Sequence, residues 1–281
     1  MIKANYHTHT SFCDGKGSPE EILEEAVKKG FDILGFSSHS AYPFADSWHI
    51  APREFEKYRA AVYQAKENFR DKITVLYGFE ADYIHGITKP SIKEDYASLK
   101  PDYLIGSVHY VGNEKGIFGI DDKTEAVEEG LQKIFNGDGK KCVQEYFFLQ
   151  REMLKKGDFT IWGHPDLVRK RNGLLHFFDE NEDWYIKELK ETAALAKKAG
   201  VLAEINTGAI ARKAMDSLYP SSAFLSILHE EGIPVIISSD SHSKENLDSE
   251  FDRAYREAKK AGYTESAYLD ENAEIRFQKI S

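Results

Sequence analysis

An α/β fold on a parallel sheet of about seven strands is predicted by three observations. Short apolar, β-prone runs alternate with amphipathic helical stretches along nearly all of the 281 residues. Several of those runs are apolar at successive positions, as strands are when both faces are covered. Proline or glycine often stands where a helical stretch begins or ends. The first strand is Ile2–Tyr6. Pro19-Glu20-Glu21 opens a helix that runs amphipathically from Ile22 to Lys29 and stops at Gly30. Proline suits a first helical turn because its missing N–H would have no partner there. Asp32–Ser37 is the second strand, and Pro52–Phe69 a helix with Phe55, Tyr58, Val62 and Ala65 on one face. Ile73–Phe79 and Tyr103–Val108 are the third and fourth strands. Helices over Thr124–Phe135 and Val143–Lys155 precede the fifth, Phe159–Trp162. Trp184–Ala199, closed by Gly200, leads to the sixth strand, Val201–Ile205. Ser221–Glu230, closed by Gly232, leads to the seventh, Pro234–Ser238, and Glu245–Lys260 is the last helix.

Strands alternating with helices imply parallel βαβ units. No Ser/Gly-rich linker, low-complexity tract or fixed-period repeat divides the chain, so one domain is expected over residues 1–281. An incomplete barrel and a doubly wound open sheet both fit seven strands. The 37 Lys and Arg against 47 Asp and Glu leave a net charge of −10. That balance argues against nucleic acid as a partner, whose backbone is bound by cationic side chains releasing counterions. No run of roughly 18 apolar residues predicts a membrane span. The two cysteines, Cys13 and Cys142, form no disulfide framework. The first residues lack the basic-then-apolar pattern of a secretory leader, so a cytoplasmic protein is expected.

Polar residues collect where the strands end. His7 and His9 follow the first strand, His39 the second, Glu80 the third, His109 the fourth, His164 the fifth, and Asp240 with His242 the seventh. In a parallel barrel these ends share one rim, where such folds carry their sites. Imidazole nitrogens and carboxylate oxygens suit Zn, Mn or Fe, and a shared carboxylate lets two cations approach. Side-chain direction in a strand repeats every two residues, so His7 and His9 face the same way. Taken singly, each residue has an ordinary explanation: a satisfied core histidine, a salt-bridge carboxylate, a helix cap. A donor at six strand ends together is hard to explain so. His49, His85, His176 and His229 stand outside the pattern, and His229, inside a helix, is expected to be structural.

The ordered series His7-x-His9, Asp14, His39, Glu80, His109, His164 and Asp240-x-His242 resembles the polymerase-and-histidinol-phosphatase (PHP) superfamily. The segments GFEADY, DYLIGSVHYVG, GHPDLVR and AEINTGAIARK are most similar to its stand-alone histidinol-phosphate phosphatase branch. The resemblance implies a distorted, TIM-like (β/α)7 barrel with a trinuclear divalent metal centre. His7, His9, Glu80 and Asp240 would hold the first ion. Glu80 would be shared with a second, completed by His109 and His164. Asp14, His39 and His242 would hold the third. Many relatives carry histidine where this chain has Asp14, which adds an oxygen donor and a negative charge.

The expected activity is hydrolysis of a small phosphomonoester, L-histidinol phosphate in histidine biosynthesis, by hydroxide held on the cations. Glu80, Asp240 and Arg212 would carry the chemistry. Guanidinium matches phosphate oxygens bidentately, and Arg212 after the sixth strand and Arg169 after the fifth are candidate phosphate ligands; Lys170, Arg171 and Lys213 are weaker ones. Tyr42, Phe44, Asp46, Tyr83, Phe118 and Asp121 are candidates for the amine and imidazole of such a substrate. Two other readings are phosphotyrosine protein, or another phosphomonoester, as the substrate and a metal-stabilised binding domain without turnover.

Overall fold

The computed structural model describes residues 1–42 and 48–280. The chain opens with strand β1 (Ala4–Asn5), helix α1 (Pro19–Lys28), β2 (Ile33–Phe36), α2 (Phe55–Asn68), β3 (Thr74–Asp82) and β4 (Tyr103–Ser107). A hairpin, β5 (Tyr110–Asn113) and β6 (Gly116–Gly119), is followed by α3 (Thr124–Phe135), α4 (Gly139–Lys156), β7 (Ile161–Trp162) and the single turn α5 (Asn172–Leu175). Then come α6 (Asp183–Ala199), β8 (Leu202–Asn206), the short α7 (Gly208–Ala211), α8 (Ser222–Glu230), β9 (Val235–Ser238) and α9 (Phe251–Ala261). A second hairpin, β10 (Glu265–Leu269) and β11 (Ile275–Lys279), ends the description.

Among the described residues the main sheet runs β1-β2-β3-β4-β7-β8-β9-β10-β11. The first seven are parallel in sequence order, with registers such as Ala4 opposite Ile33, Leu34 opposite Val75 and Glu204 opposite Ile236. These strands curl around a shared interior of Tyr6, Ile33, Leu76, Tyr103, Ile105, Ile161, Leu202 and Ile236. Tyr103 crosses that interior, its hydroxyl donating to the Tyr6 carbonyl at 2.5 Å and the Phe36 carbonyl at 3.1 Å. Glycine at position 78 permits this, because a Cβ there would lie 2.7 Å from the Tyr103 ring.

The two ends of the series meet above that interior. Ser241 donates its N–H to the His7 carbonyl and accepts from His9 N–H, at 3.0 and 2.9 Å, in a parallel bridge between Thr8 and Ser241. Below, β10 wedges between β9 and the start of the chain: Ala267 pairs with Ile236, and the Tyr6 hydroxyl bonds the Leu269 backbone twice at 2.9 Å. The architecture is therefore a distorted (β/α)7 barrel with an added hairpin. The helices form an outer layer over the sheet, α1 through Ile22, Leu23 and Ala26 and α4 through Cys142, Tyr146 and Met153, all fully buried or nearly so.

Two departures from expectation stand out. Both hairpins were absent from the predicted elements. The last helix begins at Phe251 rather than Glu245, since Glu250 takes a left-handed conformation (φ 62°) that cannot continue a helix from before it. Among the described residues no helix is long and apolar enough to cross a membrane.

Candidate metal centre

The donors expected at the rim arrive there on six segments, each at or just beyond a strand of the parallel sheet. His7 and His9 extend from β1 with period-two spacing and are both fully buried. Asp14 is brought back by a tight loop whose Gly15 has no room for a side chain: a Cβ there would lie 2.5 Å from the His9 carbonyl carbon. His39 follows β2, Glu80 lies within β3, His109 follows β4, His164 follows β7, and Asp240 and His242 follow β9.

The Glu80 carboxylate is the hub. Oε2 lies 2.9 Å from His39 Nδ1, 3.1 Å from His7 Nε2 and 3.6 Å from His9 Nε2. Oε1 lies 2.8 Å from His164 Nε2 and 3.4 Å from His109 Nε2, and accepts from the Ser107 hydroxyl at 2.7 Å. Asp240 Oδ1 stands 3.2 Å from His9 Nε2, 3.5 Å from His242 Nδ1 and 3.7 Å from His7 Nε2. Asp14 lies 3.2 Å from His242 Nε2 and 3.8 Å from both His9 Nδ1 and His39 Nε2.

A carboxylate offers roughly four lone-pair sites, yet five imidazoles crowd Glu80. His7 Nε2 and His39 Nδ1 are buried and make no hydrogen bond of acceptable direction among the described residues, although each lies near a Glu80 oxygen. Nitrogen and oxygen donors aimed at a common point without satisfying one another fit divalent cations better than a hydrogen-bond network. Donor atoms within 4.8 Å of one another form the sets His7–His9–Asp240, His7–Glu80–His164 and His9–Asp14–His39–His242. A fourth, His39–Asp82–His109, includes a carboxylate absent from the expected ligands.

Electrostatics follow from burial against neighbouring charge. Burial alone would raise Glu80, but His7, His39 and His109 hold it well below the usual carboxylate range. Burial opposes Asp240 likewise, and Arg212 and His7 pull it down. Desolvation disfavours charge on His7 and His109, yet Glu204 with Glu80 raises the first and Asp82 with Glu80 raises the second to about 10. His9 is pushed well down by burial and by the facing His242 and His39.

Several residues steer these donors from behind. His7 Nδ1 meets Glu204 Oε1 at 2.7 Å, and His109 Nδ1 meets both Asp82 oxygens at 2.9 Å. Arg212 donates to the Asp240 carbonyl at 2.6 Å and to its Oδ2 at 2.9 Å, with Nη1 3.0 Å from His242 Nδ1. Asp82 carries a signal that could have found it, its position two residues after Glu80 on one strand.

The centre opens into a cleft of about 590 Å³ lined by Trp48, Tyr110, Asp121, Asp122, Lys170, Arg171 and Arg212 as well as seven of the donors, with His7 and His9 fully buried and outside its lining. Arg212 is thus where expected. Arg169 is not: its guanidinium is buried, 2.6 Å from Glu180, and bonds the Leu218 carbonyl and Ser217 hydroxyl away from the cleft. Its neighbours Lys170 and Arg171 take the wall instead. Lys170 pairs with Asp121 at 2.7 Å, and Arg171 donates to the carbonyls of Asp121 and Asp122. Of the residues suggested for an amine or imidazole, Asp121 lines the cleft. Tyr42 and Tyr83 are buried, and Phe118 packs on Phe135. Phe44 and Asp46 lie outside the described residues. His49 packs between the Tyr42 and Trp48 rings, where burial and the facing His39 push it down to about 2. His229 lies in the last turn of α8, exposed, with its ring edge-on to Tyr263 and away from the cleft.

Comparison with known proteins follows the same lines. The family model for the PHP domain matches residues 5–208. A Schizosaccharomyces pombe protein named "Probable histidinol-phosphatase" is 26% identical over 280 residues, covering 94% of this chain and 88% of its own. A structure from Listeria monocytogenes superposes with a TM-score of 0.78 at 21% identity, covering 89% of this chain and 99% of the other. The histidinol phosphate phosphatase of Lactococcus lactis, solved with Zn, L-histidinol and phosphate, superposes with a TM-score of 0.71 at 21% identity over 98% of both chains.

Proposed function

The chain belongs to the PHP domain family, and we propose that it is a metal-dependent histidinol-phosphatase, hydrolysing L-histidinol phosphate to L-histidinol and phosphate. The observation that carries this reading is the convergence of six histidines and three carboxylates, from segments across the chain, into one cluster of which seven members line one cleft. Three divalent cations (Zn, Mn or Fe) are the best match to those donors. His7, His9, Glu80 and Asp240 would hold one, Glu80 with His109 and His164 the second, and Asp14 with His39 and His242 the third. Such ions, when bound, neutralise a phosphate dianion and lower the pKa of water toward neutrality.

The chain's own residues do the rest. Arg212 fixes Asp240 through two hydrogen bonds and lines the cleft, where a phosphate oxygen would accept from an N–H those bonds leave over. Lys170 and Arg171, which also line the cleft, add positive side chains without entering the donor cluster. Asp122 provides a carboxylate for an amine beside Asp121, which is paired with Lys170, and Trp48 with Tyr110 the flat apolar faces an imidazole needs. Positioning and charge stabilisation supply most of the barrier reduction in such a reaction.

The test is phosphate release by purified protein, with added Mn or Zn, across a panel of phosphomonoesters that includes phosphotyrosine. The expected result is the highest kcat/KM for L-histidinol phosphate and loss of turnover with chelator. A preference for phosphotyrosine would move the substrate assignment, and no turnover with any ester would leave a binding domain.

A further inference from the structure

Strand β8 sends no donor to the proposed cation sites, yet it carries a fully buried carboxylate beside them. Leu202 points into the barrel interior, and with a period of two Glu204 and Asn206 stack above it on the same inner face. Glu204 Oε1 lies 2.7 Å from His7 Nδ1. Its Oε2 accepts from His164 N–H at 2.9 Å and from Asn206 Nδ2 at 2.9 Å. Asn206 Nδ2 also reaches Asp240 Oδ2 at 3.3 Å, and Asn206 Oδ1 is anchored by Gly208 N–H at 2.9 Å.

We propose that Glu204, acting with Asn206, is the positioning residue of the cation centre. The inference rests on the reading that His7, His164 and Asp240 hold cations. An ionised carboxylate only accepts hydrogen bonds, so Glu204 requires the proton of a cation-bound His7 to sit on Nδ1. That choice leaves the Nε2 lone pair facing Glu80 and Asp240, at 3.1 and 3.7 Å. The other contacts act on backbone. His164 and Asp240 both have positive φ, 26° and 48°, a strained region in which L-residues persist only where their surroundings hold them. Glu204 holds His164 by its N–H, and Asn206 holds Asp240 by its side chain. Two side chains on a strand without ligands thereby set a tautomer and steady two ligand-bearing turns, Glu204 at His7 and His164 and Asn206 at Asp240.

The experiment compares wild-type protein with Glu204→Gln and Asn206→Ala, reading zinc affinity by competition with a chromogenic chelator and melting temperature after chelation. Glutamine keeps the shape but replaces one acceptor by a donor facing the His164 N–H. The expected result for Glu204→Gln is a fall in zinc affinity of about 10- to 100-fold, with a smaller fall for Asn206→Ala. A lowered melting temperature in chelated protein with unchanged zinc affinity would make Glu204 a structural residue and overturn the proposal. Histidine ¹⁵N spectra of zinc-loaded wild-type protein test it without any variant: His7 is expected to carry its proton on Nδ1, and a proton on Nε2 would overturn it. Wild-type protein that binds no divalent cation would instead overturn the reading of the centre itself.

Discussion

Glu80 is shared by more donors than any other side chain in the rim, so its replacement reports on the centre most directly. Glu80→Gln is expected to lower bound metal and to reduce phosphate release to near background, measured by elemental analysis alongside turnover. Full activity at full metal content would remove Glu80 from the chemistry. Arg212→Ala removes charged hydrogen bonds worth about 1.5–3 kcal/mol each, so kcat/KM should fall about 10- to 100-fold. Lys170→Ala should chiefly raise KM, because Lys170 meets the cleft outside the donor cluster. The expected donors could be read because histidine or carboxylate directly after an apolar strand is conspicuous. Glu204 was not, since it lies inside the strand Leu202–Asn206 and reads as one polar interruption of an apolar run. Lys170 and Arg171 were discounted because a basic cluster resembles a solvated face, whereas Arg169, equally basic, turned inward to Glu180.

At the level of elements, the helix start expected at Pro19 is where α1 begins, and the structure adds a cap to it. Ser18 accepts from Glu21 N–H and Glu21 returns to Ser18 N–H, a capping box at the start of α1 just before Pro19. Ser18→Ala should cost about 1 kcal/mol, visible as a lower denaturation midpoint with catalysis unchanged. The strands of the parallel ring were legible from their apolar runs. The two hairpins were not, although Tyr110–Gly119 contains Asn113-Glu114-Lys115-Gly116 between short β-prone pieces. They lie outside the strand–helix rhythm, and four- or five-residue strands carry little periodicity to find.

The whole molecule couples these charges to pH. In chelated protein His7, His39 and His109 are held above their ordinary values. They contribute stability that is present below about pH 6.5 and lost as pH rises, for His109 through about 10. His9 and His49 are held below theirs and take stability away as pH falls under about 6.5. Glu80 and Asp240, held low, lose theirs only as pH drops below about 4. Chelated protein should therefore melt highest near pH 6.5 and lower at pH 5 and pH 9. Zinc should raise the melting temperature more at pH 8 than at pH 6, because protons compete with the ion for imidazole. A flat melting profile for chelated protein between pH 6.5 and 9 would contradict the charge coupling described. The bridge joining Thr8 to Ser241 has a last consequence, for synthesis. His9 and Asp240 stand 231 residues apart, which a ribosome adding about 5–20 residues per second separates by roughly 10–50 s. The first imidazoles emerge long before their partners, so a nascent chain holds only fragments of the chelate, and tight capture of an ion waits until Asp240 and His242 have been added.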